Sequence, residues 1–217
     1  MRKLTNNELG RLDIPSFRSA PKNRVTVILD NVRSLNNIGS IFRSCDAFRI
    51  EKLVLTGIST PPPHRDIHKS ALGAEFSVDW EYHSQTTEAV LSLKEQGYHI
   101  LAVEQTVGSI PLNHLSKSPY ILHPDSPPIA VILGHEIHGV SQEVVNLCDA
   151  AVEIPQQGTK HSLNVAVSAG IVLWELIRKS PICCPSTAPV NEKKDSLLTP
   201  TNSLVNLTKI LVAFLKS

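Results

Sequence analysis

Three stretches of this chain put polar side chains and glycines at the ends of apolar runs. "NNIGSIFR" holds Asn37 and Arg43 six residues apart, with Gly39 between them. "LGHEIHG" sets Glu136 between Gly134 and Gly139. "IPQQGTKHSLN" ends in Ser162 and Asn164, where a long apolar segment begins. The chemistry open to them is narrow. Arg43 carries a planar fork of donors and stays charged, which suits a phosphate; a surface ion pair is the plain alternative. Glu136, inside a glycine turn, either caps nearby amides or faces a cation in a site. His135 and His138 are three apart, whereas a zinc-protease helix needs histidines four apart, so no metal is expected. G-x-S-x-G, G-x-G-x-x-G and the P-loop pattern are absent, which removes the usual hydrolase, dinucleotide and P-loop readings.

Apolar runs at 25–30, 52–57, 98–105, 129–134 and 150–155 read as strands. Helical spacing covers Ile38 to Phe48, with Asn36 or Asn37 as cap, and residues 86–97. A short helix capped by Ser141 is expected over 141–149. Three consecutive prolines make 58–75 read as loop. Ser162 is the natural N-cap for the segment Leu163–Ile177, which leaves Asn164 inside the first turn, where it is a poor helix former. Strands alternating with helices argue an α/β fold, a mostly parallel sheet with helices on both faces. Ligands of such sheets bind beyond the carboxyl ends of the strands, so the three polar turns are expected to converge on one site. The segment Leu163–Ile177 is apolar on nearly every face. One sheet covers a single side of it, so a homodimer is expected to cover another, with Ala166, Ala169 and Gly170 allowing close packing.

The 217 residues, 41% hydrophobic and 19% charged, fit a soluble globular protein. No apolar run reaches the length of a membrane span, so no membrane partner is expected. "MRKLTNNELGRLD" lacks the apolar stretch of a signal peptide, and the four cysteines form no C-x-x-C pair; both suggest a reducing, cytoplasmic setting. The net charge of +1 divides into +4 on residues 1–24 and −3 on the remainder. That basic arm either meets an anionic polymer or is a solvated leader. The organisation reads as arm 1–24, core domain 25–180, linker 181–202 and an amphipathic helix 203–217.

"NNIGSIFRSCDAF", "VILGHEIHGV" and "IPQQGTKHSLNVAVSAGI", in this order, resemble the three signature motifs of the SpoU-type (TrmH-type) RNA ribose methyltransferases of the SPOUT superfamily. "HKSALGAE" (68–75) is also similar to family members. The resemblance covers about residues 25–178. It implies an α/β domain tied in a C-terminal trefoil knot, dimeric through the knot region. It implies S-adenosyl-L-methionine as cofactor, held largely by backbone at Gly134, Ile154 and Leu163, with Asn37, Arg43, Glu136, Ser162 and Asn164 as the catalytic set and no metal. The implied reaction is methyl transfer to a ribose 2′-hydroxyl of structured RNA, tRNA favoured over rRNA, with DNA excluded. A non-catalytic RNA-binding factor that kept the fold, and a base methyltransferase, are the competing expectations.

Overall fold

In the computed structural model, residues 1–182 are described, except 6, 121, 124, 179 and 181. The expected helix 203–217, the Cys183–Cys184 pair and all of the expected linker but Ile182 lie outside the described residues. The strands are β1 (Asn23–Asp30), β2 (Ile50–Thr56), β3 (Trp80–His83), β4 (His99–Val103), β5 (Ile110–Pro111), β6 (Ile129–Leu133) and β7 (Ala150–Glu153). The helices are α1 (Ile14–Ser19), α2 (Leu35–Ala47), α3 (Arg65–Ala71), α4 (Ala74–Ser77), α5 (Thr86–Glu95), α6 (Gln142–Val145) and α7 (Val165–Ile177).

The seven strands form one sheet in the order β3-β2-β1-β6-β4-β7-β5, and every pairing is parallel. Side chains alternate between the two faces along each strand, so each central strand must be apolar on both. Val27 and Leu29 of β1, with Val131 and Leu133 of β6, pack under α2 and α7. Ile28 of β1 and Ile132 of β6 face the other way, against Ala89, Val90 and Leu93 of α5. The continuous runs that mark these strands in the sequence are the consequence of that double burial.

The edges were not legible in this way. β3 (WEYH) is half exposed and β5 is two residues long; neither makes an apolar run, and Pro111 is tolerated because β5 is the edge. The segment 58–75, expected as loop, contains α3 and the start of α4. Proline restricts the chain only as far as Pro63. His64 then caps α3, its Nδ1 accepting from the Asp66 amide, and Leu72 ends the helix in the left-handed region (φ 54°). Ile67 and Ala71, four apart and both buried, carried that signal.

Helix α2 starts a turn earlier than expected. Its N-cap is Ser34, whose hydroxyl accepts from the Asn37 amide, and neither Asn36 nor Asn37 is the cap. The Asn37 side chain is thereby free for other partners. Gly39 meets another backbone: a Cβ there would lie 2.4 Å from the Ile67 carbonyl oxygen and 2.1 Å from Ser70 Oγ. The missing side chain sets how closely α2 and α3 pack. The second half of the basic arm is folded onto this layer. α1 is capped by Asp13 and buries Phe17, while the Arg18 guanidinium donates to the Phe76 carbonyl through Nε (3.1 Å) and Nη2 (2.8 Å).

Gly39→Ala forces α2 and α3 apart and should cost about 1–3 kcal/mol, the scale of overpacking a tight contact. Urea denaturation followed by circular dichroism measures this; an unchanged midpoint would show that the two helices adjust freely.

Candidate active site

The carboxyl ends of β4, β6 and β7 border a cleft of about 340 Å³. The turn after β6 makes one wall. His135 and Gly139 exchange backbone hydrogen bonds (3.0 and 2.8 Å), closing a tight turn around Glu136, Ile137 and His138. His135 Nδ1 accepts from the Ile137 amide within that turn. Two glycines make it possible. A Cβ on Gly134 would fall 2.1 Å from the Gly139 carbonyl carbon, and Gly139 has φ +66° with Glu104 Oε2 only 2.0 Å from where its Cβ would stand. Gly134 therefore serves the turn's own backbone as well as leaving the cleft wall bare. Glu104, at the end of β4, braces the turn by accepting from the Val140 amide (3.0 Å). Gln105 reaches the third polar stretch, donating to the His161 carbonyl (2.7 Å). Sequence reading missed these two. They are the polar residues directly after an apolar strand, the same signal that marked the other turns.

Glu136 points away from the cleft toward the turn after β1. Its carboxylate accepts from the amides of Arg33 (3.0 Å) and Ser34 (2.9 Å) and from Asn37 Nδ2 (3.0 Å). Of the two readings of this residue, amide capping is the one the geometry shows. Burial by itself would raise its pKa, but these donors outweigh burial and hold the carboxyl below its ordinary range. Asn37 Oδ1 in turn accepts from Asn164 Nδ2 (3.1 Å), and Asn164 Oδ1 accepts from the amides of Ala166 (2.9 Å) and Val167 (3.3 Å). Asn164, not Ser162, is thus the N-cap of α7, and it stands outside the first turn instead of within it. One continuous chain, Glu136–Asn37–Asn164, ties the three polar stretches together.

Gly134, Glu136, Ile154, Ser162 and Leu163 all border the cleft, while Asn37 and Asn164 brace it from behind. Arg43 does not border it. It is exposed, two turns along α2 from Asn37, and lines a separate concavity of about 580 Å³. That second concavity is built by α1 with the turn before it, by α2 and by the α3–α4 turn, and it holds Arg11, Arg43 and Arg49. Among the described residues, none of these three guanidinium groups has a hydrogen bond or ion pair. Its two carboxylates are engaged otherwise: Asp13 caps α1, and Asp46 accepts from Ser77 Oγ.

The two concavities are opposite in charge. The cleft is lined by Glu104 and Glu153, by Glu136 with its carboxylate turned to the amides behind the wall, and by no Lys or Arg, with Leu133, Val152, Ile154 and Leu163 as its apolar part. It fits a flat apolar body carrying positive charge and does not fit a phosphate. The arginine concavity fits an anion.

The chain matches the family described as the SpoU rRNA Methylase family over residues 24–174. It is 29% identical over 179 residues to the tRNA (guanosine(18)-2'-O)-methyltransferase of Thermus thermophilus, covering 82% of this chain and 86% of that protein. Among solved structures, the TrmH/SpoU tRNA modifying enzyme of A. aeolicus superposes with a TM-score of 0.65 at 26% identity, over 76% of this chain and 79% of that one. The AdoMet-bound rRNA methyltransferase of Sinorhizobium meliloti gives 0.64 at 27% identity, over 75% of this chain and 59% of that one.

Asn164→Ala removes both the cap of α7 and the donor to Asn37, and should lower stability by about 1–2 kcal/mol. Asn164→Asp keeps the cap and should recover most of that loss. Equal denaturation midpoints for the wild type and Asn164→Ala would show that the cap contributes nothing.

Proposed function

This chain belongs to the SpoU methylase family, and from that premise we propose that it transfers the methyl group of S-adenosylmethionine to a ribose 2′-hydroxyl of structured RNA, tRNA before rRNA. The observation that carries the reading is the division of charge along α2: an acidic, apolar cleft at its start and three uncommitted arginines two turns on. A sulfonium donor is cationic and matches the first; an RNA phosphate matches the second. The similarity along most of a tRNA-modifying relative, against 59% of the rRNA methyltransferase chain, supports tRNA.

The bound cofactor supplies an activated methyl group. The chain's own residues supply alignment, which is the larger part of such a reaction. The Gly134–Gly139 turn, Ile154 and Leu163 form the bed for the donor. The Glu136–Asn37–Asn164 chain holds that bed rigid and fixes it to the start of α2, and Ser162 lines the same cleft. Arg43 holds the substrate phosphate and polarises the hydroxyl. A guanidinium stays protonated, so the hydroxyl proton would leave to phosphate or solvent as the ribose oxygen–methyl bond forms and the donor's sulfur–methyl bond breaks, the electron pair staying on sulfur as a neutral thioether.

Arg43 lies outside the cleft of its own chain, so this reading gives a dimer the task of joining the guanidinium of one protomer to the cleft of the other. Val167, Ile171 and Trp174 support that arrangement. They recur at helical spacing on α7 and stay 51%, 38% and 52% exposed, an apolar stripe that a second copy would cover. The C-terminal trefoil knot belongs to the same reading and is supported by the likeness to solved SpoU enzymes; a crystal structure of this protein whose chain trace passes through no loop would remove it. A cytoplasmic location goes with it, where free thiols such as Cys45 and Cys148 stay reduced.

Purified protein with methyl-labelled cofactor and total tRNA should yield 2′-O-methylated nucleosides on digestion. Label on a base, or cofactor binding without transfer to tRNA or rRNA, would replace this reading with a base methyltransferase or a non-catalytic factor. Arg43→Ala should keep cofactor affinity in calorimetry and lose about 10²-fold in rate; full activity in that variant would remove Arg43 from the mechanism. Trp174→Glu should shift the sedimenting species from dimer to monomer; an unshifted dimer would place the interface elsewhere.

A further inference from the structure

Beside the arginine concavity, across the Leu72–Gly73 turn, lies a second surface that the reaction as derived does not use. It is a hollow of about 390 Å³ lined by Pro63, His64, Arg65, His68, Glu75 and Phe76. Two flat rings form its walls. The His68 and Phe76 ring centroids are 6.0 Å apart with planes at 55°, and Phe76 is 53% exposed. An exposed phenylalanine on a four-residue helix would ordinarily be mobile, but this one stands on a fixed base. Arg18 clamps the Phe76 carbonyl with two hydrogen bonds from the other side of the sequence. Glu75, buried, accepts from the Gly73 amide (3.1 Å) and bonds His68 Nδ1, which orients the imidazole.

The charge around the rings has one sign left over. Glu75 is buried and fully engaged, and Asp66 is paired with Lys69 (2.8 Å). Arg65 makes no hydrogen bond or ion pair among the described residues. His64 uses Nδ1 as an acceptor, which leaves its Nε2–H directed elsewhere. A pre-set aromatic face rimmed by uncommitted donors suits a planar ring joined to an anion. An apolar protein side chain would gain nothing from those donors.

The geometry points to a subsite for one unpaired nucleobase of the substrate RNA, stacked on Phe76 with a flanking phosphate toward Arg65. It rests on the reading of this chain as an RNA methyltransferase and deepens it. The arginine concavity and this hollow are lined by different residues of the same two helices, Ala71, Ala74 and Ser77 on one side and His68, Glu75 and Phe76 on the other, so the base held here belongs to a nucleotide close to the one being methylated. The substrate must then present that nucleotide unpaired, as in a loop, since a stacked base in a helix has no free face. Phe76 is a positioning residue in this scheme and touches no reacting atom.

The test compares wild type, Phe76→Ala and Phe76→Trp. Phe76→Ala should raise KM for tRNA about tenfold, with kcat at saturating tRNA and cofactor affinity unchanged. Phe76→Trp should restore KM, and its added fluorescence should be quenched when a single-stranded RNA oligonucleotide binds. Fluorescence anisotropy with a labelled oligonucleotide reads the same loss without any catalysis, so it stands even where methyl transfer is absent and the functional reading fails. An unchanged KM and oligonucleotide affinity in Phe76→Ala, or a Phe76→Trp variant as impaired as Phe76→Ala, would overturn the subsite. Displacement of the oligonucleotide by no RNA but by a second copy of this chain would assign the hollow to a protein contact and overturn it equally.

Discussion

The chain of hydrogen bonds from Glu136 through Asn37 to Asn164 is the constraint on which the site depends. Each member sits on a different strand-end turn or helix start, and each uses its side chain to satisfy groups that would otherwise be left open. Glu136 takes two amides of the turn after β1, and Asn164 takes two amides at the start of α7. Asn37 joins them because an amide side chain can donate and accept at once. A carboxylate in its place would repel Glu136, and an aliphatic residue would strand both neighbours. The three turns are therefore a single rigid body, held by partners that are half buried (Glu136, Asn37) or exposed (Asn164) but mutually required.

The glycines act on the same assembly from the backbone side. Gly134 and Gly139 let the turn after β6 close on itself, and Gly39 lets α3 approach α2. Close approach and polar bridging serve one end: a cleft wall that does not have to reorganise when a ligand arrives. Preorganisation matters in a transfer whose donor is already activated, because geometry is then most of what the protein contributes.

Much of the layout was open to a reader of the sequence. The central strands declare themselves because burial on both faces leaves "IAVIL" wholly apolar and "VTVILD" apolar but for Thr26 and the terminal Asp30. The edges β3 and β5, exposed on one side and short, carry no such run. Both helix caps were misread for one reason: Ser and Asn are equally good caps, so Ser34 against Asn37 and Ser162 against Asn164 cannot be separated by local preference. In each case the residue passed over by the local rule was the one with a long-range partner, or freed its neighbour to have one.

What the sequence determined by itself was the class of fold, the three polar turns and the chemistry available to them, because apolar periodicity and side-chain type are local properties. The tertiary structure alone decided which residues share a space. It put Glu104 and Gln105 into the cleft, turned Glu136 from the ligand side to the amides of Arg33 and Ser34, and set Arg43 in a separate basin with Arg11 and Arg49. Six residues of α-helix amount to about 9 Å and most of two turns, enough to carry a side chain to another face. Direction around a helix axis, and the company found there, depend on what the helix packs against, and no spacing in the chain records that.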